Sequence, residues 1–296
     1  NYAQFVMFVV FFFSTLLCGL AIYNYINREG KSFLNGTVFL GEVLLLGSIM
    51  LVGELLLLSL ISLYKAPFLW GIVLLNYGFL FNARARKSCS LIFSKGFRFN
   101  LPLFLLMLLI AVFIFRNCYF LVDVDSQSTY LFAQKSWLAT GTCLTGDATS
   151  DLRLFVPQFN AVPYGLGLSI FGSETLFPQL INTFWRLIVI ILIFGYTTYY
   201  FNGYYGLGAA MFVLLNDHFF YSGANQYVII NGAVIAFYFA SAYNFWEARR
   251  KDCAFRFFLA LIFLTQLMAN KYQIVFDLFF MTILGLAIQQ NLKNPY

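Results

Sequence analysis

The chain has 296 residues, 61% of them hydrophobic and 10% charged, with a mean hydropathy of +0.79. Soluble domains carry about 25% charged residues, so this composition excludes an ordinary soluble core and points to lipid as the solvent. The net charge of +6 is not a nucleic-acid footprint, because the cations lie in short loops between apolar runs, where they set topology.

Inside a bilayer every backbone polar group must be satisfied internally, which leaves helix bundles or closed barrels. The apolar runs are long and unbroken rather than alternating at every second residue, so helices are expected. A helix crossing about 30 Å of hydrocarbon takes roughly 20 apolar residues. The fold class is therefore an all-α polytopic membrane protein. About nine transmembrane helices are expected, near 5–26, 36–63, 67–81, 101–116, 176–200, 204–221, 228–246, 257–269 and 272–288. The first run lacks the basic start and small-residue cleavage site of a signal peptide. The second holds Glu42 and Glu54, and intramembrane carboxylates face a protein interior or a cavity. The simpler reading for both is that they satisfy helix contacts or sit near an interface. The chain opens on Asn1 rather than methionine and closes just after an apolar run, as a fragment would.

The loop 82–100 holds Arg84, Arg86, Lys87, Lys95 and Arg98 with no acid. The loop 247–256 holds Arg249, Arg250, Lys251 and Arg256 against Glu247 and Asp252. Four expected spans separate the two, so both fall on one side, cytoplasmic by the excess of cations. The long loop 117–175 then faces outward, together with 217–227 and 270–271.

That outward loop is too long to be a mere connection. It opens on YFLVDVDSQSTY (119–130), where Asp123 and Asp125 follow directly on a span. Two carboxylates at that place can bind a divalent cation, or act as a base and an electrostatic partner in a hydrated cavity. A solvated turn is the plainer alternative. Next, Tyr130, Ala133, Trp137 and Leu138 recur at helical spacing over 127–140, which predicts an amphipathic interfacial helix stopped at Gly141. After the polar turn GDATSD (146–151), residues 154–172 turn apolar again with Pro157 and Pro163, and are expected to re-enter the interface without spanning it. The five cysteines show no metal-type spacing. Cys118 and Cys143 share the outward loop, where they either pair in an oxidising compartment or stay as two small free residues.

This order of features resembles the GT-C membrane glycosyltransferases, above all the 4-amino-4-deoxyarabinose transferases and protein O-mannosyltransferases. Asp125, Tyr130, Ala133 and Gly141 fall close to that family's spacing of an acidic pair followed by Y-x-x-x-A and a glycine. Phe171-Gly172, Glu174 and Trp185-Arg186 resemble its FG-x-E…R-L segment. The likeness covers about residues 101–288. It divides the chain into three additional N-terminal spans (1–100) and a GT-C-like core (101–296) with the outward loop 117–175. Two departures stand out. Ser126 occupies the place of an acid that often follows the catalytic Asp, and Val156-Pro157 stands where the arabinose-transferase branch has Lys-Pro-Pro against the lipid phosphate.

The resemblance implies an inverting transferase that moves a sugar from a polyprenyl-phosphate donor to a glycan, lipid or protein acceptor. The place implied is a bacterial inner membrane, with the loop facing the periplasm. Asp125 would be the base and Asp123 a positioning or metal residue. The leaving phosphate would be neutralised by Arg153, by Lys271 in MANKYQ, or by a divalent cation (Mg2+ or Mn2+) on Asp123 and Asp125. Tyr130 and His218 would line the substrate path. A lone histidine at a membrane boundary is more often interfacial, but Asp217 and His218 could line an acceptor path; Asn225 and Gln226 could bond sugar hydroxyls, though they read most simply as solvated loop residues. Tyr164 and Trp137 could stack on a sugar, but interfacial anchoring is the commoner role. The competing readings are a lipid-linked sugar flippase or transporter, an O-antigen polymerase-like enzyme and a non-catalytic assembly subunit.

Overall fold

The computed structural model describes residues 2–27, 35–81, 100–117, 131–143, 161–172, 176–215 and 231–270. Among them no strand occurs, and ten α-helices follow in order. They are α1 (Tyr2–Ile26), α2 (Gly36–Leu60), α3 (Ala66–Leu75), α4 (Leu101–Asn117), α5 (Phe132–Thr140), α6 (Tyr164–Phe171), α7 (Leu176–Tyr200), α8 (Gly203–Leu215), α9 (Asn231–Lys251) and α10 (Ala254–Asn270). A 3-10 segment, Asn76–Phe81, continues α3.

Among the described residues α1, α2 and α7 are long and apolar enough to cross a membrane, at 25 residues each. At 1.5 Å per residue such a helix runs about 37 Å, which exceeds the hydrocarbon thickness. Helices α3, α4, α8 and α10 are apolar but shorter, and the expected span 272–288 lies outside the described residues. The chain is thus a helical protein built to sit in a membrane.

Helix α7 is the most enclosed of the three long helices. A line of rings runs across it. Phe11 meets Phe184 edge-on at 5.5 Å, Phe184 meets Trp185 at 5.4 Å, Trp185 meets Phe237 at 5.8 Å, and Phe237 meets Phe263 at 6.3 Å. Helices from both sides of residue 100 therefore share one hydrophobic core. Helices α4 and α8 form a second cluster on the far side of α7, through Leu103, Leu106, Ile190, Phe194 and Ala210. They leave Phe104, Met107, Val112 and Phe212 exposed, as side chains facing lipid would be.

Helices α1 and α2 cross backbone to backbone. A Cβ on Gly19 would fall 1.8 Å from Val43 O, and one on Gly47 would fall 1.8 Å from Thr15 O. Only glycine permits this approach, the small-residue packing that membrane helices use where water supplies no drive.

Side-chain contacts sort the helix ends into two groups. At one end Asn35 caps α2, its Oδ1 accepting from Val38 N at 2.8 Å, while its Nδ2 donates to Gly195 O at 2.7 Å. Tyr23 near the end of α1 packs edge-on against Phe255 at 5.3 Å. At the opposite end Phe177 N donates to Gln4 Oε1 at 2.9 Å, and Cys143 N donates to Ser59 Oγ at 2.7 Å. The segments 131–143 and 161–172 gather at this second end, while Arg249, Arg250 and Lys251 close α9 at the first.

Candidate functional site

Asp123, Asp125, Tyr130, Arg153, His218 and Lys271 all lie outside the described residues, as do Cys118, Pro157, Glu174, Asp217, Asn225 and Gln226. The elements that flank the acidic pair are described. Helix α4 ends at Asn117, and the chain resumes at Leu131, directly after Tyr130.

From Leu131 onward the sequence builds a docked helix. Leu131, Ala133 and Gln134 are buried, Lys135 faces out, and Trp137 and Leu138 pack against the main core. The helix is thus buried against its neighbours on one side and open on the other. Gly141 ends it in the left-handed conformation, φ +84°, with its N–H donating to Trp137 O at 2.7 Å. A side chain is strained at that φ, and a Cβ there would also meet Ser62 O at 2.9 Å. Gly141 O accepts from Tyr64 N at 2.8 Å, which anchors the helix to the α2–α3 turn.

Tyr64 is the hub of this cap. Its fully buried hydroxyl oxygen lies 2.6 Å from Gln134 Oε1 and 2.6 Å from Val162 O. One hydroxyl proton serves only one acceptor. Burial pushes the phenol well above the ordinary tyrosine range, so it remains a donor. Trp70 Nε1 donates to Leu166 O at 3.0 Å and holds α6 against α3. Residues Tyr164 to Leu168 are buried against the neighbouring helices. Tyr164 is 0% exposed and is neither a sugar-stacking platform nor an interfacial anchor. Trp137 packs edge-on against Tyr64 at 5.7 Å. Phe171-Gly172 closes α6, with Gly172 at φ +63°.

The second polar constellation was only half legible in the sequence. Glu42 on α2 is fully buried, and its Oε1 accepts from Arg256 Nη1 at 2.6 Å, Asn244 Nδ2 at 2.9 Å and Tyr196 Oη at 2.9 Å. Arg256 Nη1 also donates to Asn244 Oδ1 at 2.9 Å. Four helices (α2, α7, α9 and α10) thus meet on one carboxylate. Glu42 lies six residues after Gly36, roughly 9 Å along the helix by the rise per residue and so about a quarter of the way along it. Glu54 is also partnered, accepting from Asn76 Nδ2 at 2.9 Å. Both acids bear out the reading of helix contacts. Such a desolvated, paired cluster clamps helices, and removing one member leaves a buried charge uncompensated.

Past the end of the expected span 228–246, Glu247 accepts from Tyr200 Oη and pairs with Lys251 Nζ at 2.9 Å, with Arg250 Nη1 at 3.7 Å. Burial opposes ionisation of Glu247. The hydrogen bonds from Tyr200 and Lys251 and the charges of Lys251 and Arg250 outweigh it, holding the carboxyl below its ordinary range. Among the described residues no group of three His, Cys, Asp or Glu side chains could hold a metal ion. No family model, no curated protein and no solved structure matches the chain.

Proposed function

We propose that the chain is a GT-C-like membrane glycosyltransferase, multi-pass in a bacterial inner membrane, with its reacting loop on the periplasmic side. The observation that carries this reading is the α5 unit. In the resembling segment, Ala133 is buried, Gly141 provides a left-handed stop, and the helix begins at Phe132, two residues after Tyr130. A rigid element with these features would fix the exit of the loop that bears Asp123 and Asp125. The gathering of segments 131–143 and 161–172 at the end opposite Arg249, Arg250 and Lys251 fits a loop facing away from the basic side.

In the proposed reaction, the Asp125 carboxylate takes the proton of an acceptor hydroxyl or amine. The acceptor oxygen or nitrogen bonds to the anomeric carbon of a polyprenyl-phosphate-linked sugar as the carbon–oxygen bond to phosphate breaks. The lipid phosphate leaves with the electron pair, and the carbon inverts. Asp123 positions the acceptor. A divalent cation, Mg2+ or Mn2+, on Asp123 and Asp125 would supply neutralising charge to the phosphate. The chain's own cations for that role are Arg153, Lys271 and the exposed Lys65 and Lys135 at the same end.

The test is transfer of a labelled sugar from a polyprenyl-phosphate donor in membranes carrying wild type or Asp125→Asn. Loss of a general base costs about 100- to 10,000-fold, so Asp125→Asn should drop transfer by that much at normal expression and insertion. Undiminished transfer would sink the reading, and movement of the intact donor between leaflets without transfer would identify a flippase instead.

A further inference from the structure

A groove of about 480 Å³ opens on the flank of α7 and α9, lined by Tyr200, Phe201, Ala242, Tyr243 and Trp246. Its volume lies within the usual range for small-molecule sites, roughly 300–1,000 Å³. Phe201 is 70% and Trp246 61% exposed, so two large rings stand open on the surface of the α7–α9 pair. On α9, Arg249 and Arg250 follow Ala242, Tyr243 and Trp246 along one helical stripe, by the three-to-four-residue repeat. Arg250 reaches back to the groove, its guanidinium 5.4 Å from the centre of the Tyr200 ring.

Arg249 and Arg250 are both exposed at this helix end. Glu247 is already bound by Tyr200 and by Lys251 at 2.9 Å, whereas Arg250 stands off at 3.7 Å with half of its side chain exposed. Lys251 is engaged twice, donating also to Tyr199 Oη at 2.7 Å. The carbonyl end of α9 repels anions, so a negatively charged ligand here would depend on the arginines. An aromatic floor with arginines at the rim of the same helix end matches an amphiphile with an anionic head.

We infer that this groove binds an anionic glycerophospholipid, its acyl chain lying over Tyr243 and Trp246 and its phosphate held by Arg249 and Arg250. The reading is independent of the proposed transferase site, because none of the described residues that line this groove is proposed for that site. Delipidated full-length protein in neutral detergent is titrated with phosphatidylglycerol, phosphatidylcholine or glycerol 3-phosphate, with bound lipid counted by native mass spectrometry. Wild type should bind phosphatidylglycerol at least about tenfold more tightly than phosphatidylcholine, about 1.4 kcal/mol by the affinity relation. Arg249→Gln/Arg250→Gln should lose that preference, and Arg249→Lys/Arg250→Lys should keep most of it. Arg249→Gln alone, which leaves every Glu247 contact in place, should weaken phosphatidylglycerol only. Trp246→Ala should weaken both lipids. Equal binding of the two lipids by wild type overturns the inference. So does full preference in the double glutamine variant, or competition by glycerol 3-phosphate as strong as by the whole lipid.

Discussion

Tyr64 and Gly165 are matched in size: a Cβ on Gly165 would stand 2.0 Å from the Tyr64 hydroxyl oxygen and 2.7 Å from the ring carbon that bears it. Gly165→Ala should therefore dislodge either α6 or the Tyr64 hub. Overpacking of this kind costs about 1–3 kcal/mol, read as lower resistance to denaturation and earlier proteolytic nicking of the 131–172 region. Tyr64→Phe in the same chain relieves the closest contact but not the ring contact, so it should restore only part of the loss. Wild-type resistance in Gly165→Ala would rule out this packing.

The Glu42–Arg256 pair has a different signature. Breaking a buried pair from one side costs about 3–5 kcal/mol, whereas replacing both partners by apolar residues costs much less. Glu42→Leu and Arg256→Met should each destabilise strongly, and the double variant should be far more stable than the two losses summed. Urea or SDS titration of the four proteins in mild detergent measures this. Simple additivity would mean that the two side chains do not act as a pair.

Glu247 predicts a pH dependence. Its folded carboxyl is held below the ordinary range, so its stabilisation is complete above the unfolded value, near 4.3 for glutamate. It is lost as pH falls through the lower folded value. Wild type should thus melt higher than Glu247→Gln at pH 6 to 8, and the gap should narrow below about pH 4. A gap that does not change with pH contradicts the arrangement around Glu247.

Much of the helical layout was legible because apolar runs dominate it. The expected spans 5–26, 36–63 and 176–200 coincide closely with α1, α2 and α7, and Gly141 stops its helix as its position suggests. Most of the differences come from long-range pairing, and one from a local charge effect. Charge counting placed Arg256 in a loop, yet α10 begins at Ala254 and takes the arginine inside, because Glu42 neutralises it. Likewise α9 runs on to Lys251, since a cationic last turn suits the carbonyl end of a helix. Burial of Tyr164 depends on Gly165 and Tyr64, which a local pattern does not connect. Of the candidate site, the described residues include the supporting helix α5 and its glycine, while the acidic pair lies outside them.

The clamp on Glu42 also imposes an order on synthesis. Tyr196 follows the glutamate by 154 residues, Asn244 by 202 and Arg256 by 214. At about 5–20 residues per second, the carboxylate waits on the order of 10–40 s for its guanidinium after it is made. Through that interval α2 carries an acid that lipid disfavours, first unaccompanied, then joined by a phenol, then by an amide, and only last by a cation. Synthesis interrupted anywhere before Arg256 would leave that acid without its cation.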